Sequence, residues 1–291
     1  MVLVMGVCKP LIGVVHLPPL PGSPGYKRAP YPREHGRVWS FDEIVGYAID
    51  EAKKYEEAGF DGVIVENYGD QPYKIDAGMG EVASISIIVK ELKKEISIPV
   101  GLNILRNSGY EAVYAAILSG ASFIRINNLC EVRVSPEGVL YPAAHGIARA
   151  LMELDSYDIV EKGELVIFAD VGVKHSYPIH CRYDIQETAR ECVERAGFRI
   201  GGLVVTGGRS GEEPGLGVAE DASIVARQLR VPLLVGSGIS HDNLPIYWKY
   251  VDGFIVGTST KIGGQVENPV SIEKARSLVE LAKRYRRTSK C

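Results

Sequence analysis

Gly62-Val-Ile-Val-Glu66 is a short run that stays apolar until its last residue, where it ends on a carboxylate. Its β-branched residues present no polar face, which is the pattern of a parallel strand covered on both sides. The same character recurs in Leu11-Ile-Gly-Val-Val-His16, Val100-Gly-Leu-Asn-Ile-Leu105, Phe123-Ile-Arg-Ile-Asn127 and Leu165-Val-Ile-Phe-Ala-Asp170. It recurs again in Gly202-Leu-Val-Val-Thr206, Leu233-Leu-Val-Gly236 and Gly253-Phe-Ile-Val-Gly257, making eight runs in all.

Helical patterns fill the gaps. Ser40-Phe-Asp-Glu43 has the spacing of a capping box and predicts a helix to about Ala58. Ser108-Gly-Tyr-Glu111 has the same form, and Asp184-Ile-Gln-Glu187 opens a helix that ends near Gly197. Further helices fit about 81–95, 142–155, 219–229, 242–250 and 271–286. Gly59 and Gly120 read as stop signals. Eight alternating units without a long linker predict an α/β fold, a (β/α)8 TIM barrel, with residues 1–291 forming a single domain. A doubly wound open sheet is the competing architecture, but the GxGxxG turn it wants after its first strand is absent.

The formal net charge of -3 offers no strong positive field, so nucleic acid is not expected as a partner. The densest basic cluster, Lys283-Arg284-Tyr285-Arg286-Arg287, reads as a solvated last helical turn. Five cysteines lie far apart with no CxxC, which argues against a disulfide framework or structural zinc and for a reducing, cytoplasmic compartment. The apolar Met1–Cys8 segment is short and lacks a charged leader, so it reads as a barrel-bottom plug or first strand. No run of 18 apolar residues occurs, hence no transmembrane segment is expected. Only four Gln and seven Asn accompany many Lys, Glu and Arg, which points toward a thermophilic source.

The runs turn polar only near their C-terminal ends, at His16, Glu66, Asn67, Asn103, Arg125, Asn127, Asp170 and Thr206. Barrel enzymes build their sites on that face. Alternation along each strand places Glu66 with Ile64, Arg125 with Phe123, Asn103 with Gly101 and Asp170 with Phe168, pointing inward. Glu66 and Arg125 fall in neighbouring layers where they could pair; since an isolated buried charge costs several kcal/mol, pairing or substrate contact is required. Asp170-Val-Gly-Val-Lys174-His175 sets an acid, an amine and an imidazole on one loop, suited to proton transfer or to a lysine nucleophile toward a carbonyl. The candidate catalytic set is therefore Glu66, Asp170, Lys174, His175, Arg125, Asn103 and His16.

Two glycine turns, Gly236-Ser237-Gly238 and Gly257-Thr258-Ser259, stand where barrels often hold a phosphate. They predict a phosphate-binding type of barrel and a small phosphorylated molecule as partner. His16, Glu66, Asp170 and His175 together form a conceivable divalent-metal set, but no HxH or HExxH spacing supports one, and no cofactor is named by the sequence. His35, His145, His180 and His241 carry no separate signal. The connection from Leu17 to about Trp39 holds six prolines and three glycines and reads as a lid or binding loop. A homo-oligomer is expected, as for many barrels.

The opening Ile12-Gly-Val-Val-His16-Leu-Pro-Pro-Leu-Pro-Gly-Ser-Pro24 resembles the start of the BtpA family, also called the BtpA/SgcQ family. Val65-Glu-Asn67-Tyr-Gly-Asp70-Gln-Pro72, Asn103-Ile-Leu-Arg106-Asn107, Arg125-Ile-Asn127 and Asp170-Val-Gly-Val-Lys174-His175 are similar to its inner motifs. Thr206-Gly207, Gly236-Ser-Gly238 with Asn243, and Asp252-Gly-Phe-Ile-Val-Gly257-Thr258 with Lys261 fit its last three strands. Ser108 and Ser210 depart from the Asp and Thr expected there. The resemblance implies a phosphate-binding-type barrel without fixing a reaction. The family takes its name from photosystem I biogenesis in cyanobacteria, with peripheral membrane association, and other members accompany sugar-metabolism genes. The two functions it leaves open are an enzyme of small phosphorylated metabolites (sugar or nucleoside phosphates) and a non-catalytic assembly factor in peripheral contact with membranes. Isomerase, lyase and glycosidic-bond cleavage are all compatible with the former.

Overall fold

The computed structural model describes residues 4–179, 184–208 and 210–288. All eight apolar runs are strands, and they close into one parallel barrel. These are β1 (Leu11–His16), β2 (Gly62–Glu66), β3 (Val100–Asn103), β4 (Phe123–Ile126), β5 (Val166–Val171), β6 (Gly202–Val205), β7 (Leu233–Val235) and β8 (Gly253–Val256). Each strand pairs with its sequence neighbours, and β8 closes the ring on β1. The fold is thus the (β/α)8 barrel that the alternation of units predicts.

The helices are α1 (Phe41–Ala58), α2 (Met79–Glu95), α3 (Gly109–Ser119), α4 (Ala144–Glu153), α5 (Ile185–Arg195), α6 (Leu216–Leu229), α7 (Leu244–Tyr247) and α8 (Ile272–Thr288), with a short extra helix at Tyr157–Glu161. The capping box at Ser40 and Glu43 forms, and Gly59 and Gly120 end α1 and α3 in the left-handed conformation. Asp184 caps α5 by accepting from the amides of Gln186 and Glu187.

Two expectations are corrected. Ser108 occupies the N-cap of α3 but makes no side-chain capping bond: its hydroxyl instead accepts from the Ala77 amide at 2.8 Å, tying the third loop to the second. The helix expected over 242–250 is a single turn, because Asn243 uses its side chain to hold the preceding turn through Ser240 N and Gly238 O.

Two apolar layers follow from strand alternation. Ile12, Val14, Ile64, Phe123, Phe168, Val204, Leu234 and Ile255 fill the barrel, and Val4 closes its bottom. The other strand faces pack against the helices in one larger core. Met1–Leu3 and His180 lie outside the described residues. The basic cluster lies within α8, where Arg286 pairs with Asp61 and donates to the Lys9 carbonyl.

The cysteine reading is also corrected. Cys130, just after β4, and Cys192 on α5 form a disulfide with Cα atoms 5.2 Å apart. Cys8 is disulfide-bonded as well. The spacing rule misses the first bond because 62 residues separate the two cysteines, and only the winding of the barrel brings them together. Among the described residues, no helix is long and apolar enough to cross a membrane.

Over the mouth sits a small antiparallel sheet that the sequence pattern did not reveal. Its strands are Arg133–Ser135, Gly138–Leu140 and Tyr177–Pro178, contributed by the fourth and fifth loops. Strands this short carry too few residues to show alternation.

Candidate functional site

The polar strand ends do converge. His16, Glu66, Asn103, Arg125, Asp170 and Lys174 are all buried around the C-terminal mouth. Strand register sets their neighbours: His16 lies level with Glu66, and Glu66 with Asn103.

Arg125 does not pair with Glu66. Its Nε and Nη2 donate to the two carboxylate oxygens of Asp170 at 2.8 and 2.9 Å. The register explains this, since Arg125 lies level with Phe168 on adjacent β5, two residues before Asp170. Glu66 is two strands away, with β3 between. Asp170 Oδ2 also accepts from Asn127 Nδ2 at 3.1 Å, and Asn127 Oδ1 accepts from Asn103 Nδ2 at 3.0 Å. A continuous polar chain therefore runs across β3, β4 and β5. Both oxygens of Asp170 are engaged in it, which leaves Asp170 poorly placed to act as a free base.

Glu66 and Lys174 are different. Both line a cavity of about 950 Å³ at the mouth. Among the described residues neither side chain forms a hydrogen bond, and the nearest ionisable partner of Glu66 is His16 Nε2 at 4.0 Å. Burial pulls the Lys174 amine below the ordinary lysine range, helped by the positive charges of Arg125 and Arg106 and opposed by Glu66 and Asp170. His16 is held well below the usual histidine range by burial and by the charges of Lys261, Lys174 and Arg125. It is therefore a neutral imidazole, set edge-on against Tyr68 with centroids 5.2 Å apart.

His175 is exposed and sits at φ 54. Its amide donates to the Gly208 carbonyl, and its Nε2 accepts from the Ser210 amide at 3.3 Å. It thus ties the fifth loop to the sixth. The proline-rich loop after β1 covers the other side of the cavity, with Pro19, Tyr31 and Arg33 in its wall. That loop is anchored by Leu20 N donating to Asp70 Oδ1 at 2.7 Å.

The six residues of the glycine turns do not line this cavity. A Cβ on Gly236 would come within 2.5 Å of Val204 Cγ1 and 3.1 Å of Arg125 Nη2, and one on Gly257 within 2.7 Å of His16 Cε1. Gly236 therefore makes room for Val204 and Arg125, and Gly257 for His16. The backbone of Glu212 and Glu213 packs directly on Gly238, and Ser259 Oγ donates to the Ile239 carbonyl. Thr258 lies against Gly211. The sixth loop thus covers the seventh and eighth in this conformation.

Several wall residues escaped the sequence reading of the site. Arg106 is buried and donates through Nη2 to the Lys174 carbonyl, fixing the backbone that carries the amine. Tyr68, Tyr73 and Glu137 also line the cavity. Arg106 and Tyr68 stand within the motifs at 103–107 and 65–72, which signalled them, whereas Tyr73 and Glu137 carried no signal beyond lying in loops. Among the described residues no group of three or more His, Cys, Asp or Glu is arranged to hold a metal ion.

Comparison with known proteins agrees with this architecture. The family model described as the BtpA family matches residues 7–284. The chain belongs to the BtpA family. A protein of Pyrococcus horikoshii is 41% identical over 279 residues, covering 96% of this chain and 97% of its own. The photosystem I biogenesis protein BtpA of Synechocystis is 31% identical, covering 93% of this chain and 87% of that one. Among solved structures, a dihydropteroate synthase of Xanthomonas albilineans superposes with TM-score 0.54 at 13% identity, covering 98% of this BtpA-family chain and 93% of that one. A thiamine phosphate pyrophosphorylase from Pyrococcus furiosus gives 0.52 at 14%, covering 95% and 96%. At such identities the likeness is one of fold.

Proposed function

We propose that this BtpA-family barrel is an enzyme acting on a small phosphorylated metabolite, a sugar or nucleoside phosphate, bound in the mouth cavity. The observation that carries the reading is the pair Glu66 and Lys174. A carboxylate and an amine are buried together, face the same cavity and make no hydrogen bond to the protein among the described residues. Folding alone has little use for two ionisable groups that line a mouth without a protein hydrogen-bond partner, where an apolar residue would cost less. Groups held in this way are suited to moving protons at a bound ligand.

The other roles follow from position. Glu66 is the candidate general acid or base, and the neutral His16 beside it is a candidate relay. Asp170 holds Arg125, and Arg125, Asn127 and Asn103 form the polar floor that would orient hydroxyls or stabilise developing negative charge. Arg106 (3.5 Å from Glu137), Arg33 (3.1 Å from Glu267) and His175 would supply the donors for the phosphoryl group. The turns Gly236-Ser237-Gly238 and Gly257-Thr258-Ser259 become a second seat for it only if the sixth loop lifts. The name of one barrel of like fold, thiamine phosphate pyrophosphorylase, carries a phosphorylated compound, which is in keeping with this ligand class.

The second reading, a non-catalytic assembly factor in peripheral contact with membranes, is favoured by the name of the Synechocystis relative. It gives no role to a deep polar mouth. The discriminating experiment screens phosphorylated sugars and nucleosides for turnover, then repeats any hit with Glu66→Gln. Loss of about 100-fold or more in kcat supports the enzyme reading, since a positioned acid–base group contributes on that order. Unchanged turnover in the variant removes Glu66 from it.

A further inference from the structure

Two buried lysines invite comparison. Lys261 is wholly buried, and its amine lies 2.9 Å from Glu51 Oε2, a carboxylate that also accepts from the Val270 amide. It is a satisfied structural lysine. Lys174 is 7% exposed, yet its amine has no hydrogen bond and no salt bridge among the described residues. Asp170 cannot serve it, being occupied by Arg125 and Asn127. Lys174 lines the cavity, and so does Glu66, from a strand across the mouth.

We infer that Lys174 is a nucleophile that forms an imine with a carbonyl carbon of the substrate, Glu66 carrying the proton. The inference rests on the enzyme reading above and narrows its substrate to phosphorylated aldehydes and ketones, including sugars in their open-chain form. A lysine attacks only as the neutral amine, and burial with the nearby Arg125 and Arg106 charges favours that form at Lys174, against Glu66 and Asp170. Arg106 holds the Lys174 carbonyl, so the nucleophile sits on fixed backbone. In the step, the amine nitrogen bonds to the carbonyl carbon while one amine proton passes to Glu66 and on to the oxygen. The carbinolamine then loses water and leaves the C=N bond. One amine and one carbonyl give one imine and one water, with no change of oxidation state.

The test uses the full chain at pH 7 with pyridoxal 5′-phosphate and, separately, pyridoxal, each trapped by borohydride and mapped by peptide mass. A lowered pKa raises the neutral fraction of an amine, so Lys174 is expected to be labelled faster than exposed Lys90 or Lys283. Glu66→Gln slows labelling of Lys174 and not of Lys90. Lys174→Arg abolishes the adduct at that position yet keeps the rise in melting temperature that pyridoxal 5′-phosphate produces. Labelling of Lys174 by either aldehyde no faster than Lys90 overturns the inference. If the phosphorylated aldehyde stabilises the protein in that case, Lys174 is an anion seat and the phosphorylated-ligand reading survives. If Lys174 is trapped rapidly but pyridoxal stabilises as well as its phosphate, the imine stands and the phosphate part of the reading falls.

Discussion

Replacing Asp170 with alanine should be among the most damaging single changes inside the barrel. Arg125 is 2% exposed and makes both of its charge-assisted bonds to Asp170. Removing the carboxylate leaves a guanidinium in the barrel interior and strips Asn127 of an acceptor. Breaking a buried pair by deleting one partner costs roughly 3–5 kcal/mol. Glu66 also acts on Arg125 through its charge, so the lower half of that range, about 3–4 kcal/mol, is expected. At roughly 2–4 °C per kcal/mol for a large domain, the melting temperature should fall by ~6–16 °C. Guanidinium chloride denaturation followed by circular dichroism measures the free energy directly. A double variant, Arg125→Met with Asp170→Leu, should recover most of the loss, since well-packed apolar residues replace buried pairs at little cost. An Asp170→Ala protein within about 1 kcal/mol of the parent would refute the view that this pair organises the mouth.

Lys174→Met should do the opposite, leaving stability unchanged or raising it by about 1 kcal/mol, because it removes an unpaired buried amine; a loss above ~2 kcal/mol in the same titration would mean that Lys174 is structural. Cys130→Ser should cost up to about 4 kcal/mol under oxidising conditions, from the loop of 62 residues that the bond closes. A melting temperature indifferent to reductant in the parent protein would show that this bond does not form. Burial raises the Asp70 carboxyl to about 7, against the amide of Leu20 and the side chain of Asn67, which pull it down. A carboxyl whose folded pKa is raised binds more protons folded than unfolded, so its contribution is complete below about pH 4 and is lost as pH rises toward 7. Asp70→Asn should flatten that part of the stability profile, and an unchanged slope would assign it to other groups.

The barrel was legible because parallel strands buried on both faces must be short apolar runs, and eight such runs survive in the chain. Strand alternation placed Glu66, Arg125 and Asp170 inward, beside Ile64, Phe123 and Phe168, which do fill the interior. The partner of Arg125 was not legible, because pairing depends on the stagger between β4 and β5, which no single strand records. Arg106 and the tyrosines of the cavity wall were missed for a related reason: loops carry no period, and their side chains meet only after the barrel closes. The glycine turns showed the limit of reading function from composition. Gly236 admits Val204 and Arg125, and Gly257 admits His16, a packing reason as sufficient as any ligand. The bond from Cys130 to Cys192 is likewise a product of topology rather than spacing.

The claim that the mouth is a site for a phosphorylated small molecule is tested most directly by thermal shift. The panel is phosphorylated sugars and nucleosides, each paired with its dephosphorylated twin. A ligand at ~100 times its dissociation constant adds about 2.7 kcal/mol to stability. That corresponds to a rise of roughly 5–10 °C for a large domain. Such a rise is expected for one or a few phosphorylated members and not for their twins, with the rise reduced in Arg106→Ala. No rise with any member, or equal rises with both twins throughout the panel, would contradict it.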